Sequence, residues 1–346
     1  MRELSAELTP AVLGAEPLPW QQGIWQQLTA QHRSGRLAHA LLITGTAGCG
    51  STEFADALAS FLLCQQPGEH ACGACKACLL FAQGTHPDMV RVVPAETGKA
   101  IKVDQIRDLA GFIGSSAQQG GYRVLVIAPA DDMNINAANA LLKGLEEPGS
   151  KTLIMLLSHR PGRMMPTIRS RCQQYAITLP QRTEALAWLQ QRLPVEADAE
   201  LLLRLAGGAP LTAVALHQRD EIGGRHERFA ALEQVIRRQV AVSAVAARWA
   251  KQDTLLLLEW LALVAADLVR LRMVGEQDLL RNPDAAGLLQ KLAKLTLDKK
   301  LFEFRDKIQE YRGHLLRRSN PNQQLLWEDL LIDWRALFSS PKKRPE

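Results

Sequence analysis

His39-Ala40-Leu41-Leu42-Ile43-Thr44-Gly45-Thr46-Ala47-Gly48-Cys49-Gly50-Ser51-Thr52 is the stretch whose reading decides the fold. Its opening run is short and apolar, as a strand buried on both faces of a parallel sheet should be. The glycines after it permit a tight turn with close backbone approach. From Ser51 to Leu63 the spacing changes to that of a helix, with Phe54, Leu58, Phe61 and Leu62 on one face. Strand, glycine loop and helix in this order make the frame of a Walker A turn, which cradles phosphate.

Such a turn works through three parts. Glycines let backbone amides close around phosphate, a lysine neutralises the β and γ oxygens, and a Ser or Thr hydroxyl holds magnesium. Gly45, Gly48, Gly50 and Thr52 keep the first and third parts, but Ser51 stands where the lysine belongs. Further on, the apolar strand Val124-Leu125-Val126-Ile127 runs into Ala128-Pro129, where a Walker B strand carries its metal-binding and water-positioning carboxylates. Losing the lysine and both carboxylates removes electrostatic contributions each worth about 3 kcal/mol or more. ATP hydrolysis is therefore not expected. A glycine loop alone equally suits a plain strand-to-helix turn.

Asp88 to Val93, Arg123 to Ile127 and Leu153 to Leu157 are further buried strands by pattern, and Val103 to Ile113 has helical spacing. Leu141, Leu142 and Leu145 share one helical face, and Pro148 stops that helix. After about residue 180 the strand signal ends. Glu200 to Leu205 reads as helix up to the turn Gly207-Gly208-Ala209-Pro210, and Leu255 to Leu271, Leu301 to Leu316 and Gln323 to Phe338 read as longer helices. The expectation is α/β, then all-α: a parallel-sheet domain over 1–180, a small helical domain over 181–220 and a helical domain over 221–346. The tail Ser339 to Glu346 is expected to fray.

The chain has 346 residues, 47% of them apolar and 22% charged, which suits a globular protein of two or three domains. A formal charge of +5 permits contact with nucleic acid but is spread along the chain. Met1 to Pro19 has no apolar signal-like core. The most apolar stretch, Leu255 to Leu271, is interrupted by Glu259, Asp267 and Arg270 and reads as a buried helix, not a membrane span. A cytoplasmic protein with no membrane contact is expected.

Cys64, Cys72, Cys75 and Cys78 are close enough in sequence to serve one ion, with Gly73 in the turn, while Cys49 and Cys172 lie apart. Four thiolates suit tetrahedral zinc. An iron–sulfur cluster is the rival, but its usual pattern places the fourth cysteine downstream, beside a proline. Free thiols are the remaining possibility. Four protein ligands leave no open position, so a zinc ion here would be structural.

These motifs occur in a telling order. The glycine loop, the cysteine cluster, Asn139-Ala140-Leu141-Leu142-Lys143-x-Leu145-Glu146-Glu147-Pro148 and Ser170-Arg171-Cys172 together resemble the bacterial clamp-loader subunits of the AAA+ class. The resemblance implies a P-loop-type sheet domain with a zinc module, a small helical lid and a C-terminal helical collar. It covers ATPase motor subunits and a non-hydrolysing type. Ser51, Ala128, Pro129 and Leu211, the last near the place of a phosphate-sensing arginine, depart from the motor pattern and point to the non-hydrolysing type.

By the same resemblance Arg171, set by Ser170 and Cys172, is an arginine finger for a neighbour's ATP. A local salt bridge is the other reading of such an arginine. The implied partners are motor subunits (gamma/tau), the delta subunit, the sliding clamp indirectly, and primed DNA within the assembled complex. Trp327 and Trp334, both in the helical stretch Gln323 to Phe338 that would hold the last collar helix, are expected in the core. Two other functions compete: an active ATPase motor, and a zinc-dependent DNA-binding protein. Against the latter, only Lys76 is basic beside the cysteines.

Overall fold

The computed structural model describes residues 16–96, 99–119, 121–275, 280–296, 298–316 and 321–338. The tail expected to fray, 339–346, lies outside the described residues. The chain divides into two compact units, Met1–Leu193 with Gly208–Ala215, and Pro194–Gly207 with Leu216–Glu346.

The first unit holds five strands: β1 (Ala40–Gly45), β2 (Met89–Val92), β3 (Arg123–Ile127), β4 (Thr152–Ser158) and β5 (Gln173–Ile177). They form one sheet in the order β2-β3-β4-β1-β5, every neighbouring pair parallel. Its helices are α1 (Gln22–Arg33), α2 (Ser51–Leu63), α3 (Lys76–Ala82), α4 (Val103–Arg107), α5 (Ala110–Gly114), α6 (Ile135–Glu146), α7 (Pro166–Arg169) and α8 (Arg182–Gln190). Alternate strand residues face opposite sides of the sheet. Leu41, Ile43, Val124, Val126 and Met155 pack in one core with Trp25 of α1 and Phe54, Leu58 and Phe61 of α2. Ala40, Leu42, Leu125, Ile127, Ile154 and Leu156 pack in a second with Ile106, Ile113, Leu141 and Leu145. Both faces are covered, which is why these strands read as unbroken apolar runs.

β5 carries no such run and was not among the expected strands. It lies at the sheet edge, where Tyr175 and Ile177 are buried and Gln174 and Ala176 exposed. The helix expected over Val103 to Ile113 is two helices. Leu109 N–H bonds to Ile106 O at 3.1 Å, an i to i−3 step that tightens the backbone between α4 and α5. α6 stops at Glu146, before Pro148, and the Asn134 side chain caps its start by accepting from Ala137 N–H at 2.7 Å.

The second unit contains α9 (Ala199–Leu205), α11 (Glu221–Ile236), α12 (Val242–Trp249), α13 (Thr254–Met273), α14 (Ala286–Leu295), α15 (Asp298–Leu316) and α16 (Gln323–Leu337); α10 (Pro210–Gln218) begins in the first unit. The architecture is thus α/β followed by all-α, as the sequence led us to expect. Trp249, Trp327 and Trp334 are buried in one core, with Trp249 and Trp327 edge-to-face at 5.1 Å.

A polar hub runs beside that core. Asp267 of α13 is fully buried and accepts from Arg270 Nη1 at 2.8 Å, Arg281 N at 3.0 Å, Asn282 N at 2.8 Å and Asn282 Nδ2 at 2.6 Å. Arg281 in turn donates to Arg204 O at the end of α9, at 3.3 Å. Arg225 of α11 grips Asp284 through Nε at 3.1 Å and Nη2 at 2.9 Å, and also donates to Asn282 Oδ1 at 2.8 Å. No single helix among the described residues is long and apolar enough to cross a membrane.

Candidate functional site

The glycine loop sits at the end of β1, where the sequence placed it. Gly48 and Gly50 adopt φ of +81° and +87°, a left-handed region that favours glycine, and Gly50 caps the start of α2. Other parts of the first unit pack closely against the loop's glycines and carbonyls. A Cβ on Gly48 would lie 2.0 Å from Thr212 Oγ1, and one on Gly50 would lie 2.3 Å from Leu18 Cδ1 and 2.6 Å from Gln21 Nε2. Gln21 Nε2 donates to Cys49 O at 3.0 Å and Gly50 O at 2.8 Å, and Trp20 Nε1 donates to Cys49 O at 2.9 Å. From the other side, Leu211 N donates to Gly48 O at 3.1 Å.

Leu211 therefore sits against the loop, as the resemblance placed it, but as a buried leucine. Ser51 is buried with its hydroxyl unpartnered among the described residues, and Thr52 is half-buried in the first turn of α2. These residues depart from a nucleoside triphosphate site in two ways. The lysine is missing, and both left-handed glycines are covered by side chains. Leu18, Trp20, Gln21 and Thr212 were not singled out from sequence, because nothing local to them marks the contact.

Ala128 and Pro129 follow β3 as expected and supply no carboxylate. Acids do follow them, but they are engaged. Asp131 is buried; its Oδ1 accepts from Ser158 Oγ at 2.7 Å and its Oδ2 from Arg160 Nε at 2.9 Å. Arg160 Nη2 reaches Asp132 Oδ1 at 3.3 Å. Burial, then the neighbouring Asp131 charge, raises the pKa of Asp132.

Ser170-Arg171-Cys172 bridges α7 and the edge strand β5. The Ser170 hydroxyl donates to Thr167 O at 3.1 Å. Cys172 is packed in the core, and burial pushes its thiol up to about 11, so it is a packed side chain and not a thiolate. Arg171 stays 37% exposed and ion-pairs with Glu146 of α6. The local salt bridge weighed from the sequence is therefore present.

The four clustered cysteines converge. Cys64 ends α2, Cys75 caps α3, Cys78 lies in its first turn, and all four Sγ atoms lie within 4.8 Å of one another. Cys64 Sγ to Cys75 Sγ and Cys72 Sγ to Cys78 Sγ are both 3.9 Å. Sulfurs at about 2.3 Å from a tetrahedral ion stand about 3.8 Å apart, so the set fits a metal such as zinc.

Backbone N–H groups of Cys72, Cys75 and Cys78 point at the sulfurs of Cys64, Cys72 and Cys75, at 3.3, 3.3 and 3.5 Å. At Cys75 burial opposes ionisation, but backbone N–H bonds from Cys78 and Gln65 outweigh it and the pKa falls to about 6. At Cys78 burial and the neighbouring Cys75 and Cys64 thiols push it up to about 12. Adjacent thiolates repel, and a dication relieves that repulsion.

A family model described as DNA polymerase III, delta subunit, matches residues 20–181, and one described as DNA polymerase III, delta subunit, C terminal, matches residues 220–336. The chain is similar to DNA polymerase III subunit delta' of Pseudomonas aeruginosa, with 42% identity covering 93% of this chain and 98% of that protein. It is also similar to DNA polymerase III subunit delta' of Escherichia coli K12, with 34% identity over 91% of this chain and 94% of that one. A solved gamma subunit-related protein of Thermotoga maritima covers 90% of this chain and all of its own, at 19% identity and a TM-score of 0.42. At this identity and coverage, the chain belongs to the DNA polymerase III subunit delta' family.

Proposed function

We propose that this chain is a non-hydrolysing subunit of an AAA+ clamp loader, which helps place a sliding clamp on primed DNA and lends Arg171 to the ATP site of a neighbouring motor subunit. Its partners in this reading are the motor subunits (gamma/tau) and the delta subunit, with clamp and primed DNA met in the assembled cytoplasmic complex. One observation carries it. The loop that would hold ATP is covered by Leu18, Gln21 and Thr212, whereas Arg171 remains at the surface. The domains in this reading are a sheet domain over 1–180, a lid over 181–220 and a collar over 221–346, the first boundary supported by the turn signal Leu179-Pro180. An active motor is disfavoured by the same covered loop.

The test is nucleotide binding and turnover by the purified chain, then by a complex with motor and delta subunits, clamp and primed DNA. The isolated chain should neither bind nor hydrolyse ATP, and adding it to the complex should raise DNA-dependent turnover. Ser51→Lys should not restore binding, because the lysine would still face a loop covered on both glycines. Micromolar ATP binding by Ser51→Lys, measured by calorimetry, would mean that the missing lysine alone silences the site.

Cys64, Cys72, Cys75 and Cys78 would hold one structural zinc ion. Zinc held at about 1,000 times its Kd stabilises by about 4 kcal/mol. For a unit of this size that is about 8–16 °C in Tm. Chelation should lower the melting transition of the first unit by that amount, and elemental analysis should give one zinc per chain. Iron in its place, or an unchanged transition, would overturn the assignment.

A further inference from the structure

Two arginines of the β4–β5 segment are held in contrasting ways. Arg160 is tied to Asp131, a carboxylate only 1% exposed whose other oxygen is bound by Ser158. Arg160 is itself 42% exposed and also reaches Asp132, but freeing it would strand the buried Asp131 charge, which favours keeping the pair. Arg171 is tied to Glu146, which is 51% exposed. Its Nε donates to Glu146 Oε1 at 2.8 Å, its Nη2 lies 2.5 Å from the same oxygen, and its Nη1 donates to Thr167 O at 3.0 Å.

Glu146 is the last residue of α6, with Glu147 beside it. Carboxylates are disfavoured at a helix C-terminus, where the macrodipole is already negative. Helix stability therefore does not account for acid at this position. The Arg171 cation does offset it, across 25 residues of chain.

We propose that Glu146 is a latch for Arg171. It holds the guanidinium against the chain's own surface until an anion of higher charge, the phosphate oxygens of an adjacent subunit's nucleotide, competes for it. The inference rests on the finger reading given above. The guanidinium suits the exchange, because its planar fork bridges carboxylate and phosphate oxygens alike. A half-exposed pair shifts an equilibrium by only about 1.4- to 5-fold, so the latch biases the arginine without trapping it. Glu146 is a positioning residue, acting only through Arg171.

The test has two readouts. In the isolated full-length chain, solvent exchange of the Arg171 Nε–H, followed by NMR, should be about 1.4- to 5-fold faster in Glu146→Gln than in wild type. In the complex reconstituted with motor and delta subunits, Glu146→Gln should raise DNA-independent ATP turnover by a similar factor, and Glu147→Gln should change neither readout. Equal exchange rates in wild type and Glu146→Gln would overturn the latch. So would faster exchange with unchanged or lowered turnover, or a Glu147→Gln effect as large as that of Glu146→Gln. The finger reading fails separately: Arg171→Ala would then leave DNA-dependent turnover intact, while the exchange difference at Glu146 persisted.

Discussion

Arg171→Ala lowers ATP turnover at the motor site it serves by about 10³-fold, the lower end of what arginine fingers supply in trans. The argument is electrostatic. Phosphoryl transfer spreads negative charge over oxygens that only positioned cations stabilise, and guanidinium keeps its charge at any physiological pH. The contacts this side chain makes within the fold, to Glu146 and Thr167 O, lie at the surface. It is 37% exposed, and its partner Glu146 is more exposed still. The variant should therefore fold, assemble and elute with the complex as wild type does. DNA-dependent turnover and clamp loading by the reconstituted complex are the measurements. Arg171→Lys should recover little, since a lysine cannot reproduce the bidentate fork. Normal turnover by a fully assembled Arg171→Ala complex would leave Arg171 as a surface ion pair and nothing more.

Asp267→Ala removes about 3–5 kcal/mol from the second unit, the range for removing one member of a buried charged network. The carboxylate accepts four hydrogen bonds, from Arg270, from the backbone of Arg281 and Asn282, and from the Asn282 amide. Alanine leaves both buried Asn282 donors without an acceptor, and each adds its own desolvation cost, whereas the partly exposed Arg270 can turn to solvent. The damage should spread along the chain of contacts. Arg281 loses its anchor and with it the bond to Arg204 O at the end of α9, and Asn282 can no longer hold its carbonyl towards Arg225. Urea unfolding should show a lowered midpoint for the helical unit, and hydrogen exchange should show early opening of α9. A loss under about 1 kcal/mol would place Asp267 among residues whose neighbours find other partners.

Legibility from sequence followed the range of the interactions involved. α2 was readable from Ser51 to Leu63 because its buried face repeats within the helix and its start is marked by Gly50. The central strands were readable because both their faces are covered, so every residue carries the signal. β5 was not, because an edge strand alternates and Gln173-Gln174 looks like a loop. The cysteine cluster was readable because its four ligands lie within fifteen residues.

The covering of the glycine loop was not readable. Its contributors come from about thirty residues before the loop and more than a hundred and sixty after it, as Leu18 and Thr212 against Gly48 and Gly50 show. The same holds for Glu146, whose motif marks the family but not the bond to Arg171.

The covered loop also has a meaning in terms of concentration. A free ligand fills a site in proportion to its abundance, and dilution empties it. Leu18, Gln21 and Thr212 belong to the same folded unit as the glycines they pack against, so they stay in place whatever the concentration of any free ligand. In the function proposed here, loop occupancy is a constant of the chain and not a variable of the medium. The subunit would then hold one conformation as ATP rises and falls around it, and its partners would do the sensing.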